Sequence, residues 1–224
     1  MSPSQRLVHE VVDACRAVAD HGLVVGGAGN ISVFEPDEAV LAITRSGVRL
    51  AAATESDVCL LREGRLTADG SSNPSSELDL HRACAYPTGP TAIVHTHSAY
   101  VVSISTLVDK LPAIHYYIEQ LGAPVKVAPY ATYGTPELAS AARDAIGDGH
   151  AALLANHGAV VRARTAAEAV ERAVLLEWLC QTYWQAALLG SPRLLDAADL
   201  EAVGSQPSLL RARAAAERTG IASA

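Results

Sequence analysis

The order of its apolar patterns constrains this chain more than any single motif. One helical stripe comes first, short β-rich runs follow with only turn residues between them, and strands and helices then mix. From Gln5 to Ala19 the apolar residues Leu7, Val8, Val11, Val12, Cys15, Val18 and Ala19 recur at three and four, the period of a helix with one buried stripe. His21-Gly22 ends it. Ile31–Phe34, Ala39–Ile43 and Val58–Leu61 read as strands, and 62–65 as a hairpin turn into another short one. Downstream the spacing predicts a helix over Glu77–Tyr86 with Pro74 near its start, a strand over Thr91–His97 and a helix from about Ala99 to Leu107. It then predicts a strand at Val125–Val127, a helix over Pro136–Ile146, a strand pair at Ala151–Ala155 and Ala159–Arg162, and a long helix over Ala166–Leu189. Strict βαβ alternation is missing. The expected class is therefore α/β: a single-domain sandwich over residues 1–224 with a central, largely antiparallel β-sheet flanked by helices. A polar connector from Pro192 to Ser208 leads to a short helix, Leu209–Glu217, and a loose tail.

Composition excludes several classes. The net charge of −7 and the lack of a Lys/Arg cluster argue against nucleic acid or an anionic membrane as partner. Glu177, Gln181 and Gln185 interrupt the apolar run 173–190, so it is no bilayer span, and the N-terminus lacks a signal-peptide pattern. A cytoplasmic location is expected. Cys15, Cys59, Cys84 and Cys180 form no CxxC pair, and buried thiols are the expectation. There is no GxSxG elbow, and residues 26–30, Gly-Gly-Ala-Gly-Asn, do not fit GxGxxG.

His95-Thr-His97 closes an apolar strand, and residues two apart point to one face, so both imidazoles can converge. Alone, such a pair is weak evidence. His157 follows a second apolar strand and precedes Gly158, and three imidazoles at strand ends would make a catalytic-type zinc site with an open position. For His9, His21, His81, His115 and His150 a solvated or core histidine is the default. Residues 71–77 place hydroxyls and Glu77 at a helix start, where either phosphate binding or simple capping fits. Gly26–Asn30 and Thr44–Gly47 are further candidate anion cradles, the second explained equally well by an ordinary tight turn.

Taken in order, Gly-Asn, Ser-Gly, Ser-Ser-Glu, His-x-His, Ile-His-Tyr and Asn-His-Gly resemble the class II aldolase/adducin family, in its branch acting on L-fuculose 1-phosphate. The resemblance runs from the first helix to about Glu177, and residues 111–116 and 128–135 are its most distinctive stretches. It implies one Zn2+ per subunit held by His95, His97 and His157, and Glu77 as catalytic acid/base. Gly29, Asn30, Ser46, Gly47, Ser75 and Ser76 would hold the phosphate. Tyr116 would reach a neighbour's site in a homotetramer. The implied reaction is reversible cleavage of a ketose 1-phosphate, L-fuculose 1-phosphate or a related deoxy-ketose 1-phosphate, to dihydroxyacetone phosphate and a short aldehyde. Epimerases, decarboxylases and a methylthioribulose-phosphate dehydratase share that metal site. Epimerases resembling this chain carry aspartate where Glu77 stands, and adducin-type modules lack the histidines. Arg45 replaces a family proline, Tyr133 a phenylalanine, and 209–220 lacks an aromatic pair found in that branch.

Overall fold

The computed structural model describes residues 2–62, 65–66, 73–122 and 124–206. In chain order it contains α1 (Pro3–Asp20), β1 (Asn30–Glu35), β2 (Val40–Thr44), β3 (Val58–Arg62), β4 (Arg65–Leu66), α2 (Leu78–Cys84), β5 (Thr91–Thr96), α3 (Ala99–Ser105), β6 (Val127–Ala128), α4 (Pro136–Ile146), β7 (Ala151–Leu154), β8 (Gly158–Ala163) and α5 (Ala166–Leu189). The strands form one eight-stranded sheet in the order β4-β3-β2-β1-β5-β8-β7-β6. Every pairing is antiparallel except β6 with β7.

Burial on both faces explains why β5 and β8 read as continuous apolar runs. Ala92 and Val94 of β5, with Ala159, Val161 and Ala163 of β8, pack in the core beneath α1, α3 and α5. Their alternate neighbours Ile93 and Val160 join Leu80, Leu138, Ala142 and Ile146 of α2 and α4 on the other face. Glu177 interrupts the apolar run of α5 for a local reason: its carboxylate accepts the Tyr100 and Val101 amides at the start of α3. All four cysteines are buried thiols, and no described helix is long and apolar enough to cross a membrane.

Several boundaries differ from the sequence reading, among them these four. First, α2 begins at Leu78, with Glu77 at its cap, because the segment before it is drawn alongside the end of β2. Ser75 N–H donates to the Thr44 carbonyl, Ser46 N–H to the Asn73 carbonyl, and Pro74 forms a bridge with Arg45 rather than opening a helix. Ser75 Oγ accepts the Glu77 amide, so it closes this turn instead of capping α2. Second, α3 stops at Ser105. Third, the strand placed at Val125–Val127 is only the two-residue β6. Fourth, residues 197–206 are helical within the expected connector, while the helix expected at Leu209–Glu217 lies outside the described residues.

Candidate active site

Strand register assembles the site. Asn30 at the start of β1 sits opposite His95 near the end of β5, and His95 sits opposite Val160 of β8. His95 shares the face of Ile93, toward α2, and His97 lies just past the strand end. The tight β7–β8 turn brings the third imidazole: Asn156 adopts the left-handed conformation (φ 57°), and His157 N–H donates to the Leu154 carbonyl. Gly158 permits this closure, since a β-carbon there would collide with the Thr96 carbonyl.

The three rings stand in mutual edge contact, with centroids 4.7 Å (His95–His97), 4.9 Å (His95–His157) and 4.8 Å (His97–His157) apart. Glu77 Oε2 is 3.1 Å from His95 Nε2, Glu77 Oε1 is 3.5 Å from His157 Nε2, and His97 Nε2 is 2.9 Å from His95 Nε2. One donor atom from each of these four residues lies within 4.8 Å of the others. His95 Nδ1 lies 2.9 Å from the Ala159 carbonyl, which can only accept, so Nδ1–H donates there and Nε2 is the nitrogen turned toward the cluster. Glu77 Oε1 is buried without a hydrogen-bond partner. Converging imidazole nitrogens with an orphaned carboxylate oxygen fit a divalent cation, and three imidazoles with one carboxylate are a donor set suited to zinc and its neighbours.

The charge states agree. Burial works to raise the Glu77 carboxyl, but His95, Asn30 and His157 outweigh it and hold the group well below the usual carboxylate range. Burial, with His95 beside them, pulls His97 and His157 down to about 4. Near neutral pH the site therefore presents an ionised carboxylate beside His97 and His157 imidazoles that are neutral and able to ligate a cation.

The cluster borders a cleft of about 340 Å³. Gly29, Asn30, Ser46, Gly47, Ser75 and Ser76 line it together with Glu77, His97 and His157, so the structure gathers these candidates, with His95 buried just behind. Gly29 has φ +87°, and a β-carbon on it would press on the His95 carbonyl. Tyr116 does not join them. It lies outside the cleft, 44% exposed, among His115, Tyr117 and Trp178. Sequence reasoning assigned no site role to Tyr130, Tyr133 or Asn156, which line the cleft together with Arg45 of the Thr44–Gly47 segment. Arg45 is the one Lys or Arg among the described lining residues, and its Nε donates to Asp57 at 2.6 Å. His81, taken as a default core histidine, is buried against Asn30 and Ser32. Only its period-four spacing from Glu77 on one helix face could have signalled this.

Residues 9–184 match the family described as "Class II Aldolase and Adducin N-terminal domain". A 5-deoxy-D-ribulose 1-phosphate aldolase of Bacillus thuringiensis serovar kurstaki is 36% identical over 198 residues, covering 88% of this chain and 93% of the relative. A 3-oxo-tetronate 4-phosphate decarboxylase of Haemophilus influenzae is 36% identical over 177 residues, covering 75% and 81%. Among solved structures, an L-fuculose 1-phosphate aldolase superposes with a TM-score of 0.83 at 32% identity, covering 93% of this chain and 98% of that one. The chain belongs to the class II aldolase/adducin family. With relatives named as aldolases on both the sequence and the structural side, it is an enzyme of the aldehyde-lyase kind.

Proposed function

We propose that the protein reversibly cleaves a ketose 1-phosphate to dihydroxyacetone phosphate and a short aldehyde, with one Zn2+ per subunit. A 5-deoxypentulose 1-phosphate is the favoured substrate, L-fuculose 1-phosphate the alternative. The observation that carries this reading is the convergence of His95, His97, His157 and Glu77 beside a cleft that is also lined by small residues with amides and hydroxyls, Gly29, Ser46, Gly47 and Ser76 among them.

His95, His97 and His157 would hold the cation through Nε2, with Glu77 approaching it when substrate is absent. When bound, the ion supplies Lewis-acid stabilisation of the negative charge that develops on the substrate's carbonyl oxygen. Glu77 then moves the proton at the carbon next to that carbonyl. A carboxylate already held ionised by Asn30 and the histidines can accept it, and its burial keeps water from competing. Gly29, Asn30, Ser46, Gly47, Ser75 and Ser76 bind the phosphate through amides and hydroxyls, and Arg45 adds a cation beside them. Lys110 and Lys126, the only lysines, do not line the cleft, so a Schiff-base route has no candidate. Tyr116 acts from a neighbouring subunit in a homotetramer, hydrogen-bonding the aldehyde oxygen as the bond breaks or forms. The enzyme works in the cytoplasm.

Decarboxylation of a sugar-acid phosphate is the second reading, favoured by the decarboxylase relative. Loss of CO2 beside a carbonyl leaves the same kind of charge, so one site could serve either. Zinc-loaded protein incubated with dihydroxyacetone phosphate and a panel of short aldehydes, and separately with a keto-acid phosphate, with a chelator control and product mass as readout, separates them. Chelator-sensitive formation of a ketose 1-phosphate supports the aldolase. No condensation, with CO2 released from a keto-acid phosphate instead, replaces it with the decarboxylase.

A further inference from the structure

Behind Glu77 and Asn30 lie two buried polar side chains, Ser32 and His81, that the proposed chemistry does not use. Asn30 Nδ2–H donates to Glu77 Oε2 at 2.9 Å, His81 Nε2 meets Asn30 Oδ1, and His81 Nδ1 meets Ser32 Oγ at 2.7 Å. Asn30, Ser32, His81 and Glu77 are all buried. Asn30 and Ser32 alternate with core residues Ile31 and Val33 on β1, which puts both on the face toward α2, where His81 stands one turn after Glu77.

We infer that His81 is a positioning residue for this site: with Ser32 it fixes which way round the Asn30 amide lies, and so presents an N–H rather than a carbonyl to Glu77. An asparagine amide is nearly isosteric with its flipped form, and the flipped form would set a carbonyl oxygen against the carboxylate. A carboxylate only accepts, so Nδ2 must face it and Oδ1 must face His81. His81 must therefore carry its proton on Nε2. Burial draws the imidazole down to about 3, so it is neutral and Nδ1 is left as an acceptor. Ser32 O–H is the donor that fills it. The chain thus runs one way, Ser32 to His81 to Asn30 to Glu77, and each link removes the alternative orientation of the next. On its far side His81 lines an apolar groove of about 380 Å³ bordered by Phe34, Leu41 and Ile93. No other described side chain hydrogen-bonds to it there.

The test has two arms, and only the second rests on the aldolase reading. In the first, zinc-loaded protein labelled with 15N-histidine is read by two-bond imidazole correlations at neutral pH, with His81 assigned from its loss in His81→Gln. A neutral Nε2–H tautomer is expected, turning to a mixture in Ser32→Ala. An Nδ1–H tautomer in the unaltered protein, or no change in Ser32→Ala, overturns the inference whatever the enzyme catalyses. In the second, His81→Gln keeps a donor near the Nε2 position and should stay close to unaltered kcat. His81→Asn reaches only toward Ser32 and should lose on the order of 10- to 100-fold in kcat with little change in KM. Equal losses in both variants, or losses confined to KM, overturn the positioning role. Absence of aldolase activity in the unaltered protein, with the expected tautomer, would overturn the functional reading alone.

Discussion

At the scale of single residues, the site is governed by one carboxylate among imidazoles. Glu77→Gln keeps the shape but removes the proton acceptor, so zinc content should stay near that of the unaltered protein. Turnover should fall on the order of 10²- to 10⁴-fold. Unaltered rates would remove Glu77 from its assigned role. His157→Ala deletes one of three imidazole donors, and metal analysis after dialysis should show a clear drop in bound zinc; full stoichiometry would dissolve the three-histidine site. The depressed histidines also fix a pH dependence. His97 and His157 sit near 4 and His81 near 3, against about 6.5 in an unfolded chain. Between about pH 6.5 and 4 the unfolded chain binds protons that the folded one refuses, so stability falls as pH drops through that window. Glu77, whose carboxyl is held low, loses its own contribution in the same direction once pH falls below about 4.5. The urea midpoint of the metal-free protein should decline from pH 7 to pH 4, and a flat profile would contradict these charge states.

At the scale of elements, local signals worked where a segment's partners are its own neighbours in sequence. Helix α5 runs over Ala166–Leu189 and α4 over Pro136–Ile146, as their periodicity, their threonine caps and a proline at the first turn of α4 dictate. Helix α2 was placed too early. Ser75 and Pro74 carry strong helix-start chemistry, yet the end of β2 competes for their backbone and wins. The close approach of β8 to β5 is a second tertiary demand, and Gly158 meets it. Gly158→Ala drives a methyl into the Thr96 backbone, which cannot yield as a side chain could. Overpacking of this kind costs about 1–3 kcal/mol, equivalent to a fall in Tm of roughly 2–12 °C in a chain this long. Gly204→Ala, exposed in the helical stretch 197–206 with nothing near it, is the matched control and should be neutral or mildly stabilising. Equal melting of the two variants would deny the close packing at the β5–β8 pair.

At the scale of the whole molecule, the cleft and the proposed aldehyde-end tyrosine are apart within one chain. Tyr116 stands exposed beside Tyr117 and Trp178, an aromatic patch of the kind that subunit contacts cover. If Tyr116 serves a neighbour's site, Glu77→Gln and Tyr116→Phe fail for different reasons in different subunits. Co-assembly of the two inactive variants should then restore activity in about a quarter of sites by random assortment in a ring. No recovery in mixed tetramers would remove the shared site.

The histidines, Glu77 and the serine and glycine turns were legible through the order of their motifs, which resembles a known family; taken singly, each was explained as well by capping, a turn or a core histidine. The positions of most strands along the chain were legible because alternation and turn residues are local properties, whereas their order in the sheet was not. Tertiary structure decided the rest. The sequence does not show that Asn30 lies opposite His95, that Arg45 turns into the cleft, or that His81 reaches Asn30 across 51 positions of chain. Such contacts are set by strand register and by packing of α2 onto the sheet. A one-residue slip in either would leave every motif intact and turn its side chain to the other face.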